Sequence, residues 1–135
     1  MRGRRFAVVA AAGLLAGCGQ PSPDLFIVTR SGEGPNDDIT LVVNDGGTVS
    51  CDGGAPRRLD GDRLLLAREL SRELAAAADL GLELPARDDA LLTYSARLEA
   101  GTVSFSDTSP NRPASLNRLM GFVADVSEKV CGVER

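Results

Sequence analysis

Residues 91–99, LLTYSARLE, alternate between apolar and polar side chains. In an extended chain, one face here would carry Leu92, Tyr94, Ala96 and Leu98. This alternation predicts a β-strand with one face on the core and the other in water, as in an antiparallel sheet. Gly101 favours a tight turn, after which residues 102–106 are expected to form a second strand with the same inner face.

Two segments instead repeat their apolar residues at spacings of three and four. They are residues 61–78 and residues 113–130, and each pattern predicts an amphipathic helix. Asp60 or Asp62 can cap the first helix by accepting from its unpaired N–H groups. Pro113 suits the first turn of the second helix, where its missing N–H costs nothing.

Three further strands are expected before the first helix, at residues 24–30, 39–43 and 48–51, because these runs are rich in β-branched residues. Residues 44–47, Asn-Asp-Gly-Gly, favour a hairpin turn between the last two. The predicted fold class is α+β, with an antiparallel sheet of about five strands and two α-helices packed on one face, in the order ββ(β)α-ββα. Residues 24–135 are long enough for one such domain.

The N-terminus has the layout of a secretory signal. Three arginines precede an uncharged apolar run at residues 6–15, which is too short to cross a bilayer. The run ends in four residues that resemble the lipobox of bacterial lipoproteins: Leu15, Ala16, Gly17 and Cys18. That resemblance implies a signal peptide at residues 1–17, diacylglycerol with fatty acids such as palmitate on Cys18, and a lipidated tether at residues 18–23. The alternative is an ordinary cleaved signal followed by a chance cysteine.

The expected location is therefore the extracytoplasmic side of the cell membrane, on a lipid anchor. The chain is also similar to small uncharacterised lipoproteins of high-GC Gram-positive bacteria, a resemblance that implies location and no activity. Without the three arginines of residues 1–17, 12 bases remain against 19 acids, a net charge of −7. An acidic surface argues against nucleic acid as a partner and against attraction to anionic lipid, so the lipid anchor would have to supply the attachment.

Cys51 and Cys131 remain after Cys18 is assigned to lipid. An even pair in an exported protein predicts a disulfide, with two buried free thiols as the alternative. The chain contains no His, and two cysteines alone do not make a tetrahedral zinc site. We therefore expect no metal and no cofactor beyond the covalent diacylglycerol.

Catalytic side chains are scarce. Without His there is no Ser-His or Cys-His dyad, and Lys129 is the only lysine that could serve a serine nucleophile. The hydroxyl-rich residues 102–109 are better explained as outward strand positions followed by turn and capping residues. These features predict that the protein is not an enzyme. A lipid-carrying shell, another possibility, would need a large apolar cavity between the helices and the sheet.

Two acid pairs, Asp37-Asp38 and Asp88-Asp89, lie in predicted loops. They could contribute oxygen ligands to a calcium ion, but neither belongs to a known calcium-loop pattern. Solvated turn acids are the simpler interpretation.

The loop of residues 31–38 is long for a hairpin connection, and long loops on rigid strands often carry binding. The candidate binding residues are Ser31, Gly32, Glu33, Gly34, Pro35 and Asn36.

The layout is similar to that of emfourins, small bacterial protein inhibitors of thermolysin-family metalloproteases. The likeness covers roughly residues 25–130 and depends on spacing more than on identities. It involves residues 26–32, the leucines Leu66, Leu70 and Leu74, Leu84-Pro85, Tyr94, the Gly101 turn, and Leu116 and Leu119. The resemblance implies that exposed loops, residues 31–38 first, block a protease cleft.

We therefore expect a monomeric, non-catalytic, membrane-anchored domain that binds a protein partner on the outer face of the cytoplasmic membrane. The alternative is an emfourin-like inhibitor whose partner is an extracellular metalloprotease.

Overall fold

A computed structural model describes residues 19–134. The predicted signal peptide and Cys18 lie outside the described residues. The elements are β1 Asp24–Gly32, β2 Ile39–Asn44, β3 Thr48–Cys51, β4 Arg57–Arg58, α1 Gly61–Asp79, β5 Leu92–Leu98, β6 Gly101–Ser106 and α2 Ala114–Lys129. Neither helix in this part of the chain is both long and apolar enough to cross a bilayer.

The six strands form one antiparallel sheet in the order β4-β3-β2-β1-β5-β6. The predicted α+β class is confirmed, and the full element order is ββββαββα. The strand β4 was not predicted, since two arginines are too short a run to show any periodicity. Most predicted bounds are within one residue of the observed ones, but β1 continues two residues further than expected, to Gly32.

One face of the sheet packs on the helices and the other faces water. In β5 the burial alternates along the strand, as the sequence predicted. The core between sheet and helices includes the edge-to-face pair Phe26–Phe122 and the stacked pair Tyr94–Phe105. The turn at residues 44–47 also forms as predicted, with Gly47 at φ +90° and its N–H donating to the carbonyl of Asn44 at 3.0 Å.

The two helices lie side by side and run in opposite directions. Asp60 caps α1 by accepting from the backbone N–H of Arg63 at 2.9 Å. The Arg63 side chain bonds Asp125 of α2 at 2.7 Å, and at the other end of α2 Arg118 bonds Glu73 of α1 at 2.7 Å. Pro113 directly precedes the first residue of α2 rather than occupying its first turn.

Two carboxylates of this helix layer, Asp60 and Asp125, have lowered pKa values. The hydrogen bond from Arg63 holds the pKa of Asp125 below its ordinary value, with a further contribution from Lys129 and partial opposition from desolvation. The backbone N–H of Arg63 likewise lowers the pKa of Asp60. Both carboxylates therefore stabilise the helix layer in their ionised form.

Different segments of the chain lie at the two ends of the sheet. At the tether end, residues 19–23 join β1 at Asp24. At the loop end, residues 33–38 connect β1 to β2. Since β1 contains nine residues, the two ends are separated by about 26 Å at ~3.3 Å per residue.

Candidate functional site

The candidate binding loop begins inside the sheet. Ser31 and Gly32, predicted as loop residues, are the last residues of β1 and pair with Thr93 and Leu92 of β5. This pairing with β5 overrides the weak strand propensity of a serine and a glycine. The part of the candidate site that lies beyond the strand is therefore residues 33–36, all of which are exposed at the loop end of the sheet.

Internal hydrogen bonds hold this loop in shape. The backbone N–H of Gly34 donates to Asp37 Oδ2 at 2.8 Å, and the N–H of Asp37 donates back to the carbonyl of Gly34 at 3.3 Å. The N–H of Gly32 donates to Asp38 Oδ1 at 3.0 Å. The two carboxylates thus satisfy backbone donors that precede them in the loop.

Two glycines of the loop are required by close approach. A Cβ atom added at Gly32 or at Gly34 would lie 2.6 Å from Asp37 Oδ2. The Asp37 side chain is buried and leaves no room for it. Gly32 and Gly34 are therefore part of the loop's architecture rather than sources of flexibility.

Arg30 of β1 holds the loop through hydrogen bonds to its backbone, and the sequence did not predict this role. Its side chain is 1 % exposed. Its Nε donates to the carbonyl of Asp37 at 2.7 Å, and its terminal NH2 group donates to the carbonyl of Asn36 at 3.0 Å. The sequence does contain a signal for this burial. Arg30 follows Phe26 and Val28 at alternate positions of β1, which places all three side chains on the inner face of the sheet.

The C-terminal segment ties the loop to α2. The Asn36 side-chain amide donates to the carbonyl of Glu134 at 2.7 Å, and the N–H of Val133 donates to the carbonyl of Ser127 at 2.9 Å. Val133 and Arg30 line the same small cavity of about 140 Å³. The segment 132–134 therefore acts as a strap across the base of the loop.

A disulfide anchors this strap to the sheet. Cys51, the last residue of β3, is bonded to Cys131, and their Cα atoms are 6.0 Å apart. The predicted pairing is confirmed, and the alternative of two free thiols is wrong. Disulfides persist in oxidising environments, so this one favours an extracytoplasmic location for the domain.

The hydroxyl-rich residues 102–109 perform structural roles. The Ser109 hydroxyl accepts from the backbone N–H of Ser106 at 2.9 Å, and the Asp107 carboxylate accepts from the N–H of Leu91 at 3.2 Å. Arg112 donates to the carbonyl of Asp107 at 2.7 Å. Lys129 lies on α2 and pairs with Asp125 at 3.3 Å. These contacts agree with the predicted turn and capping roles. The prediction of outward strand hydroxyls is wrong for Ser106, which is buried and bonded to the loop that follows β6.

The second acid pair, Asp88-Asp89, is exposed in a turn that is closed by the N–H of Ala90 donating to the carbonyl of Arg87 at 3.1 Å. Within residues 19–134, no three His, Cys, Asp or Glu side chains are grouped so that they could hold a metal ion. Asp38, Asp88 and Asp89 are exposed turn acids, as predicted. Asp37 is not a solvated acid, because it is buried and its carboxylate is bonded to the backbone of its own loop.

No protein-family model, curated protein or solved structure matches this chain. The interpretation of its function therefore depends on the arrangement of its own residues.

Proposed function

We propose that this chain is a lipoprotein, anchored on the outer face of the cytoplasmic membrane by diacylglycerol on Cys18, whose single domain is a non-catalytic protein-binding module. The observation that carries the proposal is the placement of tether and loop at opposite ends of β1, about 26 Å apart. A domain held at its tether end would present residues 33–36 away from the membrane, where a partner can reach them.

Several properties of the molecule support the anchored location. The lipobox-like residues end at Cys18, and only four residues separate Cys18 from Pro23, whose carbonyl already bonds Asp45. The disulfide suits an exported domain. The acidic mature chain would be repelled by anionic lipid, so two acyl chains on Cys18 are the attachment that would hold it stably.

The structure of the loop supports a role in binding. Three sets of hydrogen bonds fix its backbone. Asp37 accepts from the N–H of Gly34 within the loop, the buried Arg30 of β1 donates to the loop carbonyls, and Asn36 donates to Glu134 of the strap. A loop already fixed in one conformation loses little conformational entropy when a partner binds. This preorganisation suits recognition of a protein surface better than it suits catalysis, for which the chain has no histidine.

Site-specific photo-crosslinking on native membranes tests the proposal. A photoreactive amino acid at Glu33 is expected to give a defined protein adduct, because this residue lies on the exposed loop. The same amino acid at Glu99, exposed at the tether end, is the matched control and should not give that adduct. Equal adducts at both positions, or none at Glu33, would contradict a partner at the loop end.

Inhibition of a thermolysin-type protease is the second candidate function. The observation that favours it is the rigid, exposed loop braced by a disulfide, which would resist cleavage while occupying a protease cleft. The assay is titration of the oxidised protein, residues 21–135, against such a protease after long preincubation. Stoichiometric loss of protease activity is expected for an inhibitor, and full retention of activity would exclude this candidate.

A further inference from the structure

A groove of about 470 Å³ opens at the tether end, between β1, β5 and α1. Its lining includes Pro23, Leu25, Ser71, Ala75, Leu98 and Ala100. Five of these six residues are apolar. The two acids that also line it, Asp24 and Glu99, are exposed to solvent. The groove therefore has apolar walls and suits a ligand that makes no hydrogen bonds.

The groove exists because β1 leaves β5 at this end. The ladder between the two strands ends at the pair Ile27–Arg97. The register between β1 and β2 shifts between Asp24 and Phe26, so the first residues of β1 follow β2 instead. A second concavity of about 310 Å³, lined partly by Ile27 and Arg97, lies beside the same first residues of β1. The departing strand thus leaves an opening beside the position where the tether joins the domain.

Only a few residues of the tether lie between Cys18 and the point where the chain is fixed to the domain. The Ser22 carbonyl accepts from the Asn44 side-chain amide at 2.6 Å, and the Pro23 carbonyl accepts from the Asp45 N–H at 2.9 Å. These bonds hold the chain against the turn of residues 44–47. Only three residues separate Ser22 from Cys18, so Cys18 lies at most about 14 Å from Ser22 along an extended chain.

We propose that the groove binds one acyl chain of the lipid carried by Cys18. This inference rests on the lipidation proposed above. An acyl chain that moves from the bilayer into the groove exchanges one apolar environment for another, while the walls of the groove are removed from water. That removal of apolar surface from water is the driving force. A bound chain would fix the orientation of the domain and keep its loop end turned away from the membrane.

The test uses the full-length protein in a bacterium that processes lipoproteins, grown with a palmitic acid analogue that carries a diazirine near its methyl end. Isolated membranes are irradiated, and the digested protein is analysed by mass spectrometry. The expected product is the lipidated peptide that begins at Cys18, joined through its acyl chain to a peptide containing Ala75 or Ala100.

Ala75→Glu places a carboxylate in the groove and should abolish these adducts. Ala76→Glu, at the exposed neighbouring position of α1 and outside the groove lining, is the matched control and should keep them. Ala100→Glu provides a second groove variant at an exposed position that tolerates a larger side chain. Retention of the disulfide and of the helical circular dichroism signal shows that each variant is folded.

Three outcomes would overturn the inference while leaving lipidation in place. They are a labelled Cys18 peptide with no link to the groove, adducts that persist in both groove variants, and groove adducts formed by membrane phospholipid rather than by the Cys18 lipid. An unmodified Cys18, recognised from the mass of the N-terminal peptide, would instead remove the proposed anchor and this inference with it.

Discussion

Replacing Arg30 by methionine tests whether the buried guanidinium holds the loop. Arg30 donates to the carbonyls of Asn36 and Asp37 at 3.0 and 2.7 Å, and each hydrogen bond from a charged group contributes about 1.5–3 kcal/mol. Methionine keeps the packing of the stem and removes the desolvation cost of a buried charge, which offsets part of the loss. We expect Arg30→Met to lower the free energy of unfolding by about 2–4 kcal/mol.

The assay is urea unfolding followed by circular dichroism. With an m-value of about 2 kcal/mol/M, the midpoint should fall by about 1–2 M at unchanged slope. Hydrogen exchange should show lost protection at the amides of Gly34 and Asp37, which the loop bonds protect. Arg97→Met, on the exposed face of β5, is the matched control and should change stability by less than about 0.5 kcal/mol. Equal effects of the two variants, or unchanged exchange in the loop, would refute the role given to Arg30.

Reduction of the disulfide, which closes a loop of 80 residues, should lower the free energy of unfolding by about 4.5 kcal/mol; an unchanged melting temperature with reductant would contradict this. Gly34→Ala would bring a methyl group within 2.6 Å of Asp37 Oδ2 and should cost about 1–3 kcal/mol in urea titrations. Gly121→Ala, in open space on α2, should instead stabilise by about 0.5–1 kcal/mol, and equal shifts in the two variants would show that crowding at the loop is unimportant. Asp125→Asn removes two partly exposed ion pairs, with Arg63 and Lys129, and should cost at most about 1 kcal/mol at neutral pH. Because Arg63 holds the pKa of Asp125 below 3.8, the ionised carboxylate stabilises the fold above that value and loses its effect as the pH falls through the lower folded-state pKa. The difference between the wild type and Asp125→Asn should therefore disappear in acid, and a difference that persists there would contradict the assignment.

The elements of the fold that the sequence predicted are those in which apolar residues recur at regular intervals. Alternation over residues 91–99 and apolar spacings of three and four over residues 61–78 and 113–130 arise from burial of one face, which acts on every residue of the element. A two-residue strand such as β4 has no period to detect. The end of β1 at Gly32 is set by its partner strand, and a partner strand is not visible in the local sequence.

The sequence predicted the loop and the disulfide of the candidate site, but not the contacts that hold the loop, because those contacts are not local in the chain. Unusual length and glycine content identified the loop, and counting cysteines identified the disulfide. The supports of the loop join residues far apart in the chain, as in the bond between Asn36 and Glu134 across 98 positions. Arg30 was overlooked because arginine is rarely fully buried, and its burial depends on backbone carbonyls that only the folded loop brings together.

The central claim, that the domain is held at the membrane through Cys18, is tested most directly by comparing the wild type with Cys18→Ser in a lipoprotein-processing bacterium. Cell fractionation is combined with the intact mass of the mature N-terminus. We predict that the wild type is found in the membrane fraction, starts at Cys18 and carries the mass of diacylglycerol. Cys18→Ser should lose that mass and the processing at this position. Wild-type protein without the lipid mass, or with its mature N-terminus elsewhere, would contradict the account.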